Sequence, residues 1–158
     1  MNAFSELDLA AAHRRFSVDY FNAAWELMER ELRSNQENEQ MLFLSIASHW
    51  HWMQRTDYDA TKASIGYWLT SRIYCLLNQP LNARDFGRRA LAAAQQDGVE
   101  VIYRAYAFET LAHAAALMQD VIGMMAYLRH ARRAADEITD QEEKQRLLLD
   151  LESIALVG

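Results

Sequence analysis

The sequence predicts an all-α chain of about seven helices, joined in chain order as antiparallel hairpins. Three observations lead there. Proline occurs once and glycine five times in 158 residues, and such scarcity of breakers suits long helices. Apolar residues recur at three- and four-residue steps, with no sustained period-two alternation to mark a strand. The links between these periodic stretches are short, which makes neighbouring helices antiparallel. Alanine, leucine, glutamate and arginine are abundant, and all four are good helix formers.

The first helix is expected over about 5–33. Phe16, Tyr20, Ala24 and Leu27 form its apolar stripe, with Phe21, Trp25, Met28 and Leu32 beside it. Ser34 followed by Glu37 has the form of a capping box opening the second helix. That helix carries Leu42, Ile46, His49/Trp50 and Met53 at helical spacing, until the polar run Gln54-Arg55-Thr56-Asp57 interrupts it. The third helix is expected from Asp59 to Leu77, with Ala63, Tyr67, Ser71 or Thr70, Tyr74 and Leu77 on its stripe. Asn78-Gln79-Pro80 breaks it, and Pro80 suits the first position of the fourth helix. Gly98 suits the residue just past that helix's C-terminus. The fifth helix is expected from Glu100 to Met118, followed by a Gln119-Asp120 turn with Asp120 as N-cap. The sixth ends near Asp136, where Arg129, Arg132 and Arg133 complement the helix dipole. Thr139 with Glu142 resembles another capping box, opening a last helix through Leu147, Leu148, Leu151 and Ile154. One domain is thus expected over 1–158, with hairpins at about 5–56, 59–97 and 100–136 and a capping helix at about 140–156.

Composition limits the function classes. A formal charge of −6 gives no reason to expect nucleic acid. The charge is uneven: Arg55, Lys62, Arg72, Arg84, Arg88 and Arg89 face only Asp57, Asp59 and Asp85 within 41–96. Such a stretch reads either as a solvated helix face or as a patch for an acidic partner. No uncharged apolar run reaches the ~18 residues of a membrane span. The first residues lack the basic-then-apolar order of a signal peptide, so the cytoplasm is the expected compartment. Cys75 is the lone cysteine, which excludes an internal disulfide and a thiolate zinc cage. Among Ile73, Tyr74, Leu76 and Leu77 it reads as a small buried hydrophobe.

Enzyme and metal motifs are missing. There is no H-E-x-x-H, no phosphate loop and no dinucleotide glycine pattern. No G-x-S-x-G elbow occurs, and no glutamate stands three residues before a histidine, as a di-iron bundle requires. No metal or cofactor is expected. Two constellations stand out. Ser48-His49-Trp50-His51-Trp52 alternates imidazole with indole. It reads as a hydrogen-bonded inter-helix contact or as a ligand pocket, since indole N–H groups want partners. Glu109 and His113 are four apart and share a helix face. They read as an ion pair, or as a carboxylate orienting a base, although no nucleophile accompanies them. The run Leu147-Leu148-Leu149-Asp150-Leu151 is apolar on nearly every side. It predicts a helix that packs on the preceding hairpin and keeps apolar surface for a second copy, so a homodimer is expected.

Two hairpins look alike. Tyr74 falls over Ala115, Arg88 over Arg129 and Ala90 over Ala131, a separation of about 41 residues. This is the logic of a solenoid, in which each hairpin hides its oily face on the next. The segments 67–94 and 108–135 resemble tetratricopeptide repeats. Tyr67, Ser71 and Tyr74 match the aromatic and small positions of the first helix in one segment, and Phe108, Ala112 and Ala115 in the other. Ala83, Ala90 and Ala131 match the small positions of the second helix. Asn78 and Gln119 replace the usual turn glycine, Met124 a usual small residue, and the spacing exceeds the usual ~34 residues. The chain is also similar to a group of uncharacterised bacterial proteins of this helical-repeat organisation. The resemblance implies an α-α superhelix whose groove is lined by the first helix of each hairpin. By position that groove would present Trp68, Arg72, Tyr106, Glu109 and His113, a set suited to a peptide. The leading expectation is therefore a protein–protein interaction module with a peptide or protein partner. The alternative is a small-molecule-binding or enzymatic helical domain that uses the His49–Trp52 region with Glu109 and His113.

Overall fold

The computed structural model describes the backbone of residues 3–157 and the side chains of residues 8–155. Within them the chain is all-helical: α1 (Ala3–Met28), α2 (Asn35–Met53), α3 (Ala60–Leu76), α4 (Pro80–Ala94), α5 (Val101–Leu117), α6 (Val121–Asp136) and α7 (Gln141–Val157). Each helix packs on the next in chain order, and α3 also packs on α5 and α5 on α7. The odd-numbered helices α3, α5 and α7 therefore stand side by side. No helix among the described residues is long and apolar enough to cross a membrane.

Local chemistry sets the boundaries. α1 stops at Met28, earlier than expected, because Arg33 folds back and donates to the carbonyls of Leu27, Met28 and Arg30 at the helix end. Leu32 consequently lies outside the helix, 89% exposed, and joins no stripe. The Ser34–Glu37 capping box forms with both reciprocal bonds. Asp59 caps α3 by accepting from the Lys62 amide at 2.9 Å, and Asp120 caps α6 by accepting from the Gly123 amide at 2.9 Å. The last cap differs from the expected one. Asp140, not Thr139, accepts from the amides of Glu142 and Glu143. Gly98 has the left-handed φ of 82° but sits in the loop beyond Gln95, which itself caps α4.

The turns after α3 and α5 are built alike. Asn78 and Gln119 adopt left-handed φ of 54° and 58°. In one turn the Gln79 amide donates to Tyr74 O and the Asn78 amide to Cys75 O. In the other the Asp120 amide donates to Ala115 O and the Gln119 amide to Ala116 O. Both are Schellman motifs, with Asn and Gln in place of glycine. Behind them Ala83 and Met124, and then Ala90 and Ala131, are buried at equivalent positions.

The α2 stripe is corrected by the structure. Its buried residues are Met41, Ser45, Ser48 and His49, whereas Ile46, Trp50 and Met53 are exposed together with Phe43 (61%). Small hydroxyl residues make the close contacts instead. Ser48 Oγ donates to Ser17 O at 2.6 Å across α1 and α2. Ser64 Oγ donates to Ala90 O at 3.1 Å, and Ser71 Oγ to Ala83 O at 2.7 Å, across α3 and α4. Ser71 also meets Thr110 Oγ1 of α5 at 2.8 Å. Each hydroxyl has its hydrogen-bond partner, so burial here carries no desolvation penalty left unmet. α7 packs as expected on the preceding hairpin and buries Leu147, Leu151 and Ile154. Of its leucine run only Leu149 is well exposed. The larger apolar surface lies on α2.

Candidate functional site

Two adjoining cavities lie along the odd-numbered helices. The first, of about 420 Å³, is bounded by Phe21 and Trp25 of α1, Ile65 and Trp68 of α3, and Tyr103 and Tyr106 of α5. These residues reach one cleft because they recur at three- and four-residue steps on their helices, and so share a face. Their rings form a row. Trp52 of α2 stacks on Phe21 with centroids 5.6 Å apart. Phe21 neighbours Trp25 at 6.2 Å, Trp25 meets Trp68 at 5.7 Å, and Trp68 meets Tyr106 at 5.4 Å. Five rings from four helices thus make a continuous aromatic surface. The tilted and offset geometries are those that ring quadrupoles favour.

The second cavity, of about 250 Å³, is bounded by Arg72, Glu109, His113, Asp150, Ser153 and Ile154 among its lining residues, from α3, α5 and α7. Glu109 is only 3% exposed. Its Oε1 lies 3.6 Å from Arg72 Nη1, which also approaches Asp150 Oδ2 at 3.9 Å. Glu109 Oε2 has no hydrogen-bond partner, and neither has the buried Trp68 indole N–H, close enough to favour the carboxylate without bonding it. Burial raises the Glu109 carboxyl pKa to about 6, against the opposing pull of Arg72. His113 is held below its ordinary value by burial and then by Arg72, so it is neutral at physiological pH. Cys75 Sγ donates weakly to Thr110 O at 3.9 Å. Burial and the Glu109 charge push its thiol up to about 12, which makes it an inert core residue.

The five residues expected to line a groove are therefore brought together, with Trp68 and Tyr106 in the first cavity and Arg72, Glu109 and His113 in the second. Arg72 joins the two, its guanidinium carbon 5.6 Å over the Trp68 ring. The sequence reading missed the α1 wall, Tyr103 and the α7 contribution of Asp150. Phe21 and Trp25 at i, i+4 and Tyr103 and Tyr106 at i, i+3 were the available signal.

The four side chains of the His49–Trp52 string do not gather around one cavity. Consecutive helix residues turn by about 100°, and these four divide among three surroundings, with the Trp50 and His51 rings 5.1 Å apart and both against His13 of α1. His49 is buried against Gly66 and Tyr67 of α3, and its Nε2 shares a 2.8 Å hydrogen bond with Tyr58 Oη of the loop before α3. Trp50 is exposed. His51 turns to α1 and meets His13, Nδ1 to Nδ1, at 2.8 Å. Trp52 joins the ring row on Phe21. The string is an inter-helix contact. Of the basic stretch, Arg55, Lys62, Arg72 and Arg84 each lie within 4 Å of a carboxylate, while Arg88 and Arg89 are exposed and in no ion pair among the described residues. Among the described residues no three His, Cys, Asp or Glu side chains converge as a metal site would require. No protein-family model, curated protein or solved structure matches the chain.

Proposed function

We propose that this chain is a tetratricopeptide-like interaction module that holds a peptide segment of a protein partner in the cleft across α1, α3 and α5. One observation carries the reading. Three successive odd-numbered helices each contribute aromatic side chains to a single open cavity of about 420 Å³. Tryptophan and tyrosine in a partly desolvated concavity are the residues on which binding energy concentrates. The cleft is large enough for a side-chain anchor, and the Arg72 cavity that reaches α7 lies beside it, which suits an extended or helical segment.

A photo-crosslinking amino acid placed at Ile65, inside the cleft, tests this in the living cell. Adducts to a discrete protein are expected from position 65 and not from Leu81, which is exposed on α4 and lines neither cavity. Equal adducts from both positions, or none from position 65, would refute the proposal.

A further inference from the structure

We infer that the aromatic cleft receives a basic side chain of the partner, its alkyl stem between Trp25, Trp68 and Tyr106 and its cationic head toward a rim of carboxylates. This rests on the peptide-groove reading above and adds the partner's chemistry. The first support is the wall. The rings of Trp25, Trp68 and Tyr106 stand in sequence at 5.7 and 5.4 Å. Aromatic faces attract cations, and more strongly when the site is desolvated. Lysine and arginine also bury their methylene stems along apolar surface while the charge stays outside.

The second support is the sign of the rim. Glu29 Oε1 accepts from Trp25 Nε1 at 2.8 Å, which fixes a carboxylate at the edge of one ring and enriches that ring in electron density. Tyr103, on the opposite wall, has its phenol raised by burial and then by three nearby carboxylates, Glu100, Glu143 and Asp59. Lys62 answers Asp59 at 3.4 Å. Glu29, Glu100 and Glu143 are in no ion pair among the described residues. All three are exposed. Glu29 and the carboxylates about Tyr103 therefore make that edge of the cleft negative, while Arg146 and Arg72 act on Tyr106 at its other end, on a chain whose formal charge is −6. An acidic anchor is repelled there, and a neutral apolar anchor leaves the field unused. The third support is internal: Arg72 already sets its guanidinium carbon 5.6 Å over Trp68, so this ring accepts a cation in the folded chain.

The test selects randomised short peptides displayed on phage against the immobilised full chain, with Trp68→Ala as counter-selection. Circular dichroism and urea melts establish that the variant is folded. The expected result is Trp68-dependent sequences that share a lysine or arginine flanked by apolar residues. Replacing that residue by norleucine should weaken binding by about tenfold. The double variant Glu100→Gln/Glu143→Gln leaves the rings intact. It should weaken the basic peptide by a similar factor and leave the norleucine peptide unchanged. Trp68-dependent sequences without a basic residue, or basic peptides indifferent to the double variant, would overturn this inference and leave the groove standing. Absence of any Trp68-dependent sequence would overturn both.

Discussion

Protonation of His49 should destabilise the fold, by an amount set by how deeply the ring is buried. His49 is 6% exposed. Its ring stands edge-on to Tyr67 at 4.4 Å between centroids and bonds Tyr58 through Nε2. Burial lowers its pKa from 6.5 to about 4. Because the folded value lies below the unfolded one, the unfolded chain binds more protons in that interval. The stabilisation is complete above pH 6.5 and is lost as pH falls toward 4. A shift of that size corresponds to about 3 kcal/mol in full, of which roughly 2 to 3 kcal/mol is lost between pH 7 and 4.5. Glu109 acts in the opposite sense. Its folded pKa is raised to about 6, so its contribution is present below pH 4.5 and is lost as pH rises through 6. The two slopes partly cancel in the native protein and must be separated by variant. His49→Phe keeps a ring against Tyr67 and removes the titration. It gives up the Tyr58 bond, about 1 kcal/mol at pH 7. Urea melts of both proteins between pH 7 and 4.5 should converge, with the variant matching or exceeding the native chain at the acid end. Parallel stability profiles would refute the reasoning, since His49 would then be protonated as freely in the folded state as in the unfolded one.

Further outcomes follow from the same geometry. Glu109→Gln removes the opposing slope: relative to the native chain it should gain up to about 2 kcal/mol between pH 4.5 and 8, read by the same melts. Gly66 lies under His49, and an added Cβ would come within 2.7 Å of the ring. Gly66→Ala should therefore cost about 1–3 kcal/mol in thermal or urea unfolding, and less in a His49→Ala background. Ser34→Ala removes one half of the capping box at α2 and should cost about 1 kcal/mol. Leu151, fully buried where α7 docks, should cost about 2–5 kcal/mol when cut to alanine, with loss of amide-exchange protection concentrated in α7.

The fold was legible because caps and breakers are local. Ser34, Asp120 and Pro80 each act on backbone within three residues, so their meaning survives without tertiary information. The exception, Asp140 in place of Thr139, is a choice between adjacent residues that both cap well, and the chain's path into α7 decides it. The α2 stripe failed for a different reason. Hydrophobic periodicity finds large apolar side chains, but α2 approaches α1 so closely that Ser48 reaches the Ser17 carbonyl. Small hydroxyls win such contacts, and they leave Phe43, Ile46, Trp50 and Met53 outside.

The same distinction explains the site. Trp68 and Arg72, and Tyr106, Glu109 and His113, lie at three- and four-residue steps, so helix geometry alone puts each set on one face. That those two faces meet follows from α3 packing on α5, which the hairpin order implies. Trp25 and Asp150 enter only because α1 reaches α3 through its indole and α7 lies against α5, and these are contacts between helices of different hairpins. A string such as His49-Trp50-His51-Trp52 fails for the converse reason: His49 and Trp52 turn to different neighbours, and only Trp50 and His51 share one, His13. Chemistry-bearing residues on helices should therefore be grouped by turn and not by neighbourhood. By that rule Trp25, Trp68 and Tyr106, which lie far apart in the chain, make a cleft together, while four adjacent aromatic and imidazole side chains do not.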